Sequence, residues 1–180
     1  MTQQQPNYLF KIVAIGSGGV GKTSLIRRFA ESRFDASYLP TLGVDITTKR
    51  VEVDDIEVKL ICVDTAGQEY FSKLRPTYYK GANGALVVFD ITKIKTFEAV
   101  DRWLSELKNN VEEEIPKILI GNKTDLPKRD VSMELVEEIS KKEKMKYYEA
   151  SALDGRNVET IFFELTRAIL SYDQKTKKTS

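Results

Sequence analysis

Eight consecutive residues constrain this chain more than any others: Gly16-Ser17-Gly18-Gly19-Val20-Gly21-Lys22-Thr23. Two glycines bracket four residues, and a lysine and a threonine follow at once. An apolar run, Leu9 to Ile15, precedes the segment, and a helix-like stretch from about Lys22 to Ala30 follows it. Strand, glycine-rich turn, helix is the opening unit of an α/β fold that binds phosphate. Glycines let the backbone wrap a polyphosphate closely with its N–H groups turned inward, and the helix start adds the positive end of its dipole. The residues expected to touch phosphate are Gly18, Gly19, Val20, Gly21, Lys22, Thr23 and Ser24. Lys22 suits the β- and γ-phosphate oxygens, and the Thr23 hydroxyl suits Mg²⁺. The alternative is a glycine-rich surface turn that merely precedes a helix. The strand before it and the helix after it argue against that. Taken alone, the loop fits any ATP- or GTP-using enzyme, small-molecule kinases included.

Downstream, residues 33–45 lose all periodicity and carry Pro40 and Gly43, which reads as an exposed loop. Ile46 to Val53 and Val58 to Val63 are rich in β-branched residues and flank Asp54-Asp55, as in an antiparallel hairpin. Ala85 to Phe89 and Ile118 to Ile120 read as buried strands, with another near Tyr147. One helix is expected from Phe97, Val100, Leu104, Leu107 and Val111. A second carries Leu135, Val136 and Ile139 with Ser132 as N-cap, and a third carries Val158, Ile161, Phe162, Leu165 and Ile169. Repeated strand–helix units imply a three-layer α/β fold, a mostly parallel sheet with helices on both faces. The domain is expected over residues 9–172, between a polar extension at 1–8 and a loose polar tail at 173–180.

The hairpin runs into Asp64-Thr65-Ala66-Gly67-Gln68-Glu69. An aspartate at the carboxyl end of a buried strand can hold Mg²⁺, which keeps several waters of its own. Gly67 lets the backbone approach a γ-phosphate, and Gln68 is placed to orient an attacking water. Asp64 by itself reads equally well as a strand-end turn residue; the phosphate loop upstream tips the balance. Thr41, in the irregular segment, is the candidate to reach the metal with its hydroxyl and the γ-phosphate with its N–H. Losing the γ-phosphate then releases the loop.

A third motif, Gly121-Asn122-Lys123-Thr124-Asp125, follows a strand. The Asp125 carboxylate can accept hydrogen bonds from guanine N1–H and its exocyclic amine, whereas adenine presents an acceptor there. A buried acceptor left unpaired gives discrimination on the order of 10⁴. Asn122 is expected to tie this loop to the phosphate loop, and the Lys123 stem to lie along the purine face. Ser151-Ala152-Leu153 offers the Ala152 N–H to guanine O6. This combination separates a GTP-hydrolysing protein from a kinase, which predicts tolerance of ATP. A guanine-nucleotide-binding interaction module that does not turn over is the other alternative, and Gln68 with Gly18 argues against it.

Composition narrows the classes further. The chain has 180 residues, 41% of them hydrophobic and 31% charged, as in an ordinary globular domain. A net charge of +1 offers no bulk attraction to nucleic acid. With no histidine and one cysteine, Cys62, neither His-based metal sites nor an internal disulfide arise. No stretch reaches the ~20 apolar residues of a membrane span. The protein is expected to be cytoplasmic and monomeric.

With these segments in order, the sequence resembles the Ras superfamily of small GTPases, and within it the Rab branch, over roughly Leu9 to Leu170. The Rab-like features are Leu42-Gly43-Val44-Asp45, Lys59-Leu60, Tyr78-Tyr79-Lys80-Gly81-Ala82 and Phe89-Asp90-Ile91-Thr92. The resemblance implies a six-stranded sheet with one antiparallel edge strand, and a GTP/GDP switch with Mg²⁺ serving trafficking or signalling. By similarity Phe34 packs against the guanine and Tyr38 closes over the phosphates. An exchange factor, an activating protein and effectors are implied as partners. Three features depart from the Rab pattern. Ile46 and Val63 stand where an aromatic and a tryptophan are usual, and Gly18 replaces a larger residue, leaving room for Gln68 and water. Third, the tail carries Lys175, Lys177 and Lys178 and no prenylation cysteine. Membrane association is therefore expected only through a partner or a further tail. No arginine lies between Phe34 and Thr41, so isolated hydrolysis should be slow, on the order of the 10⁻⁴ s⁻¹ of Ras.

Overall fold

The computed structural model describes residues 8–32, 41, 43–65 and 75–179. Six strands form one sheet in the order β2-β3-β1-β4-β5-β6. They are β1 (Tyr8–Ile15), β2 (Val44–Val53), β3 (Ile56–Thr65), β4 (Gly84–Asp90), β5 (Lys117–Asn122) and β6 (Lys146–Ala150). β2 pairs antiparallel with β3, and every other pairing is parallel. The implied six-stranded sheet with one antiparallel edge strand is what the chain adopts.

The helices are α1 (Lys22–Glu31), α2 (Arg75–Tyr79), α3 (Ile94–Glu98), α4 (Val100–Lys108), α5 (Met133–Lys142) and α6 (Val158–Thr179). Strand side chains alternate between two cores, as the period of two requires. Phe10, Ile12 and Ala14 of β1, Leu86 and Val88 of β4, and Ile118 and Ile120 of β5 pack with α1 and α6. Val13, Ile15, Val87, Phe89 and Leu119 point the other way, toward Val100, Trp103, Leu107, Val136 and Ile139. Both faces of the central strands are covered, so these strands read as continuous apolar runs. In the first core, Phe29 of α1 and Phe162 of α6 stack with ring centroids 3.8 Å apart and planes within 1°.

Local expectations differ from the fold in three places. The helix expected from Phe97 to Val111 is two helices meeting at Ala99, and Val111 lies beyond its end at Lys108. The Val111 N–H still reaches Leu107 O at 3.1 Å, a final turn rather than a continued helix. Ser132 caps α5 as expected, its Oγ accepting from Leu135 N, but the Leu135 side chain is exposed. One step along a helix turns a side chain by roughly 100°, so Val136 and Ile139 face the core and Leu135 does not. Residues 173–179, whose polar composition suggests a tail, are helical as the last turns of α6. Lys and Gln are good helix formers, and polar composition argues against burial rather than against helix.

Candidate functional site

Parallel pairing brings the carboxyl ends of β1, β3, β4, β5 and β6 to one edge of the sheet. β1 lies between β3 and β4, where the strand order reverses, and crevices at such points hold ligands in open α/β sheets. The phosphate loop leaves β1 there. Gly16 has φ +142, and a Cβ on it would overlap the Val88 carbonyl of the neighbouring strand, so the loop needs a glycine at its root. α1 begins at Lys22 and aims its N-terminus into the crevice. Lys22 is buried, and its Nζ donates to Gly16 O at 2.8 Å and Ser17 O at 3.0 Å. Trp103 Nε1 lies 3.4 Å from Ser17 Oγ, joining α4 to the loop. Gly18 is exposed, Gly19 has φ +76, and Ser24 is half-buried in the first turn of α1. The Val20 side chain is fully buried, so only its backbone is available to the crevice.

Three segments distant in sequence converge beside Lys22. Thr65 Oγ1 donates to Ala14 O at 2.7 Å and pins the end of β3 to β1. That fixes Asp64, which is 2% exposed. Asp64 Oδ2 accepts from Thr23 Oγ1, and from Thr41 Oγ1 at 3.3 Å; the two hydroxyls are 2.8 Å apart. Asp64 Oδ1 is buried with no hydrogen-bond partner among the described residues. Burial pushes the Asp64 carboxyl up, against the lowering pull of Thr23, Lys22 and Thr41. Among the described residues no three His, Cys, Asp or Glu side chains cluster; the oxygens gathered here are two hydroxyls and one carboxylate. Hard oxygen donors of this kind suit Mg²⁺, and the orphaned Oδ1 is the atom a cation would satisfy.

On the other side of the phosphate loop, Asn122 ends β5. Its Nδ2 donates to Val20 O at 2.8 Å, and its Oδ1 accepts from Ala152 N at 3.3 Å. The expected tie between base loop and phosphate loop is therefore present, and it extends to the loop after β6. Ser151 Oγ donates to Asp125 Oδ1 at 2.6 Å, while Thr124 N and Oγ1 both reach Ala150 O at 3.1 Å. Asp125 itself is exposed at the mouth of this edge. Leu153 is 48% exposed; its carbonyl accepts from Arg28, a link from α1 that spacing alone does not reveal. Lys123 lies at φ +73 with Nζ 2.7 Å from Asp90 Oδ2. Asp90 was visible in the sequence only as part of the Phe89-Asp90-Ile91-Thr92 resemblance, without a role. The expected site residues Phe34, Tyr38, Gly67 and Gln68 lie outside the described residues.

A sequence profile of the Ras family matches residues 11–171. The chain belongs to the Ras family. Its relatives place it in the Rab branch of these small GTPases. Ras-related protein Rab-13 of Rattus norvegicus is 41% identical over 165 residues, covering 91% of this chain and 81% of the relative. Ras-related protein YPTC6 of Chlamydomonas reinhardtii is 43% identical over 164 residues, 91% and 76% of the two chains. Ras-related protein RABA5e of Arabidopsis thaliana is 47% identical over 156 residues, 86% and 72%. The protein is a Rab-like regulatory GTPase that binds GTP and GDP, hydrolyses GTP, and engages regulators and effectors. Among the described residues, no helix of this GTPase is long and apolar enough to cross a membrane.

Proposed function

We propose that the GTPase is Mg²⁺-dependent and that Thr23, Thr41 and Asp64 hold the ion. The observation that carries this reading is the meeting of their oxygens from α1, the segment before β2 and the end of β3. When bound, the ion neutralises charge on the phosphate oxygens during transfer. Lys22 leaves its two loop carbonyls for the β- and γ-phosphates, and the loop N–H groups of Gly18, Gly19, Val20, Gly21, Lys22 and Thr23, followed by Ser24, take up the rest. Thr41 reaches the γ-phosphate with its N–H, so the loop it anchors is tied to the triphosphate state.

On the base side, Asp125 reads guanine with its carboxylate, held in aim by Ser151, while Ala152, Lys123 and Leu153 complete the pocket and Asn122 locks it to the phosphate loop. Phe34 stacks on the base, Tyr38 covers the phosphates, Gly67 donates its N–H to the γ-phosphate, and Gln68 orients the attacking water. Catalysis is then positioning and electrostatics, without an internal arginine finger. An exchange factor, an activating protein and effectors at the switch loops complete the cycle, in membrane trafficking or signalling. Residues 9–172 form the GTPase domain, and the protein works from the cytoplasm, reaching a membrane through a partner or a tail.

Three measurements test this. Chelating Mg²⁺ should accelerate release of bound GDP, and Asp64→Ala should release it fast with or without chelator; release indifferent to chelator in the wild type refutes the metal assignment. Asp125→Asn should shift preference from guanosine toward xanthosine nucleotide, because the amide donates where the carboxylate accepted. Unchanged base preference refutes the guanine assignment. For the water-orienting role, Gln68→Leu should slow single-turnover GTP hydrolysis; equal rates point to a module that does not turn over.

A further inference from the structure

We infer that Asp90 is a positioning residue for guanine recognition: it anchors the Lys123 ammonium so that the Lys123 stem is set along the purine face before nucleotide arrives. The inference rests on the base-contacting role proposed above for Lys123.

Asp90 is the last residue of β4, paired in register with Asn122 at the end of β5. It is 1% exposed, an ionisable side chain sealed from water at the nucleotide edge of the sheet. Its surroundings leave it one free direction. Oδ1 accepts from Thr92 N at 2.9 Å and Thr92 Oγ1 at 2.7 Å. The Asp90 N–H donates to Thr96 Oγ1 at 3.0 Å, and its carbonyl accepts from Lys93 N at 3.0 Å. With backbone and Oδ1 committed, Oδ2 faces the Lys123 ammonium at 2.7 Å. Burial pushes the Asp90 carboxyl up, but Lys123 and Thr92 outweigh it and hold the group below the usual carboxylate range.

Lys123 is the more adaptable partner and the one that needs holding. It sits at φ +73, a left-handed conformation unfavourable for a lysine and maintained only when neighbours over-determine it. Two contacts do so: Leu126 N donates to Lys123 O at 3.1 Å, closing a turn within the base loop, and Ile91 N donates to Asn122 O at 3.1 Å, joining the residue after β4 to the end of β5. A free lysine stem samples many rotamers, and fixing its charged end at a buried carboxylate removes that freedom ahead of binding. The side chain is 27% exposed, so the stem keeps a face for a ligand while its tip is held. A carboxylate that only closed the Thr92 turn would need neither this burial nor a lysine facing its second oxygen.

The test is a double-mutant cycle on nucleotide release. Asp90→Asn, Lys123→Met and the double variant are loaded with a fluorescent GDP analogue in Mg²⁺ and chased with excess GDP. Asp90→Asn keeps the Thr92 contacts and removes the charge. It should accelerate release on the order of 10–100-fold, as for loss of a hydrogen bond to a charged group. GTP release should rise by the same factor, because the contact is on the base side. In the Lys123→Met background Asp90→Asn should add nothing. Thr92→Val, which deletes a hydroxyl but keeps the ion pair, should release nucleotide at the wild-type rate. Asp90→Glu, which displaces the charge by one methylene, carries the same cycle if the asparagine form does not fold. Wild-type release from Asp90→Asn, or an equal acceleration with and without Lys123, overturns the inference and leaves the guanine reading intact. A wild-type protein that retains adenine and guanine analogues alike sinks both.

Discussion

Gly21→Ala tests how the phosphate loop is joined to the base loop. Gly21 has φ +100, and a Cβ built on it overlaps the Asn122 amide. Two penalties follow, and they differ in kind. Alanine in that backbone region costs about 1–3 kcal/mol wherever it occurs. Displacing Asn122 breaks its 2.8 Å bond to Val20 O and its 3.3 Å bond from Ala152 N. Two buried hydrogen bonds, together with the polar groups left unsatisfied, amount to roughly 2–4 kcal/mol. Gly21→Ala alone should therefore cost about 3–7 kcal/mol and Asn122→Ala alone about 2–4 kcal/mol. In the double variant the overlap is gone while the backbone strain persists, so its cost should match that of Gly21→Ala rather than the sum. The assay is urea denaturation at one fixed excess of GDP and Mg²⁺, because bound nucleotide itself stabilises the fold. The expected non-additivity is about 2–4 kcal/mol. Costs that add within about 0.5 kcal/mol refute the reasoning, since Gly21 would then matter for its backbone alone.

Other outcomes follow from the same geometry. Phe29→Ala removes one ring of the stacked pair between α1 and α6 and should destabilise the protein by about 3–5 kcal/mol, lowering the melting temperature by roughly 6–20 °C. Gly84→Ala places a methyl 2.7 Å from Ile169 Cδ1 and 3.2 Å from Leu165 Cδ1, and should cost about 1–3 kcal/mol in urea denaturation without altering base preference. Burial pushes the Cys62 thiol from the ordinary 9.0 to about 12, so thiol reagents should label it slowly at neutral pH and at once in denaturant. The sign is that of a raised pKa. The contribution is complete below the unfolded value and lost as pH rises from about 9 toward 12, a slope that Cys62→Val should flatten.

How far the sequence reached depends on the range of the interaction. The glycine spacing at Gly16 and Gly21, Lys22 and Thr23, the strand-end Asp64, and Asn122 with Asp125 are local patterns whose chemistry follows from residue type and position. The alternating strand–helix order was enough for a mostly parallel sheet, and the two β-branched runs around Asp54-Asp55 for its antiparallel hairpin. The tie from Asn122 to the phosphate loop was legible too, because each partner belonged to a motif with an evident task. Ser132 as a cap was equally local. Helix limits were less so: whether α6 ends at residue 172 or 179, and whether the helix after Asp90 breaks at Ala99, depends on weak balances that periodicity does not resolve.

What only the tertiary structure decided are contacts between residues without a shared motif. Asp90 and Lys123 meet because β4 and β5 are neighbours in register, and Arg28 reaches the Leu153 carbonyl because α1 lies beside the loop after β6. The overlap that forbids a side chain at Gly21 exists only once Asn122 has been brought across from the end of β5. Each pairing is set by strand order and packing distance, quantities that no window of sequence contains. Residue types along the chain determined which chemistry was available; the order of the strands determined which of those groups hold one another in place.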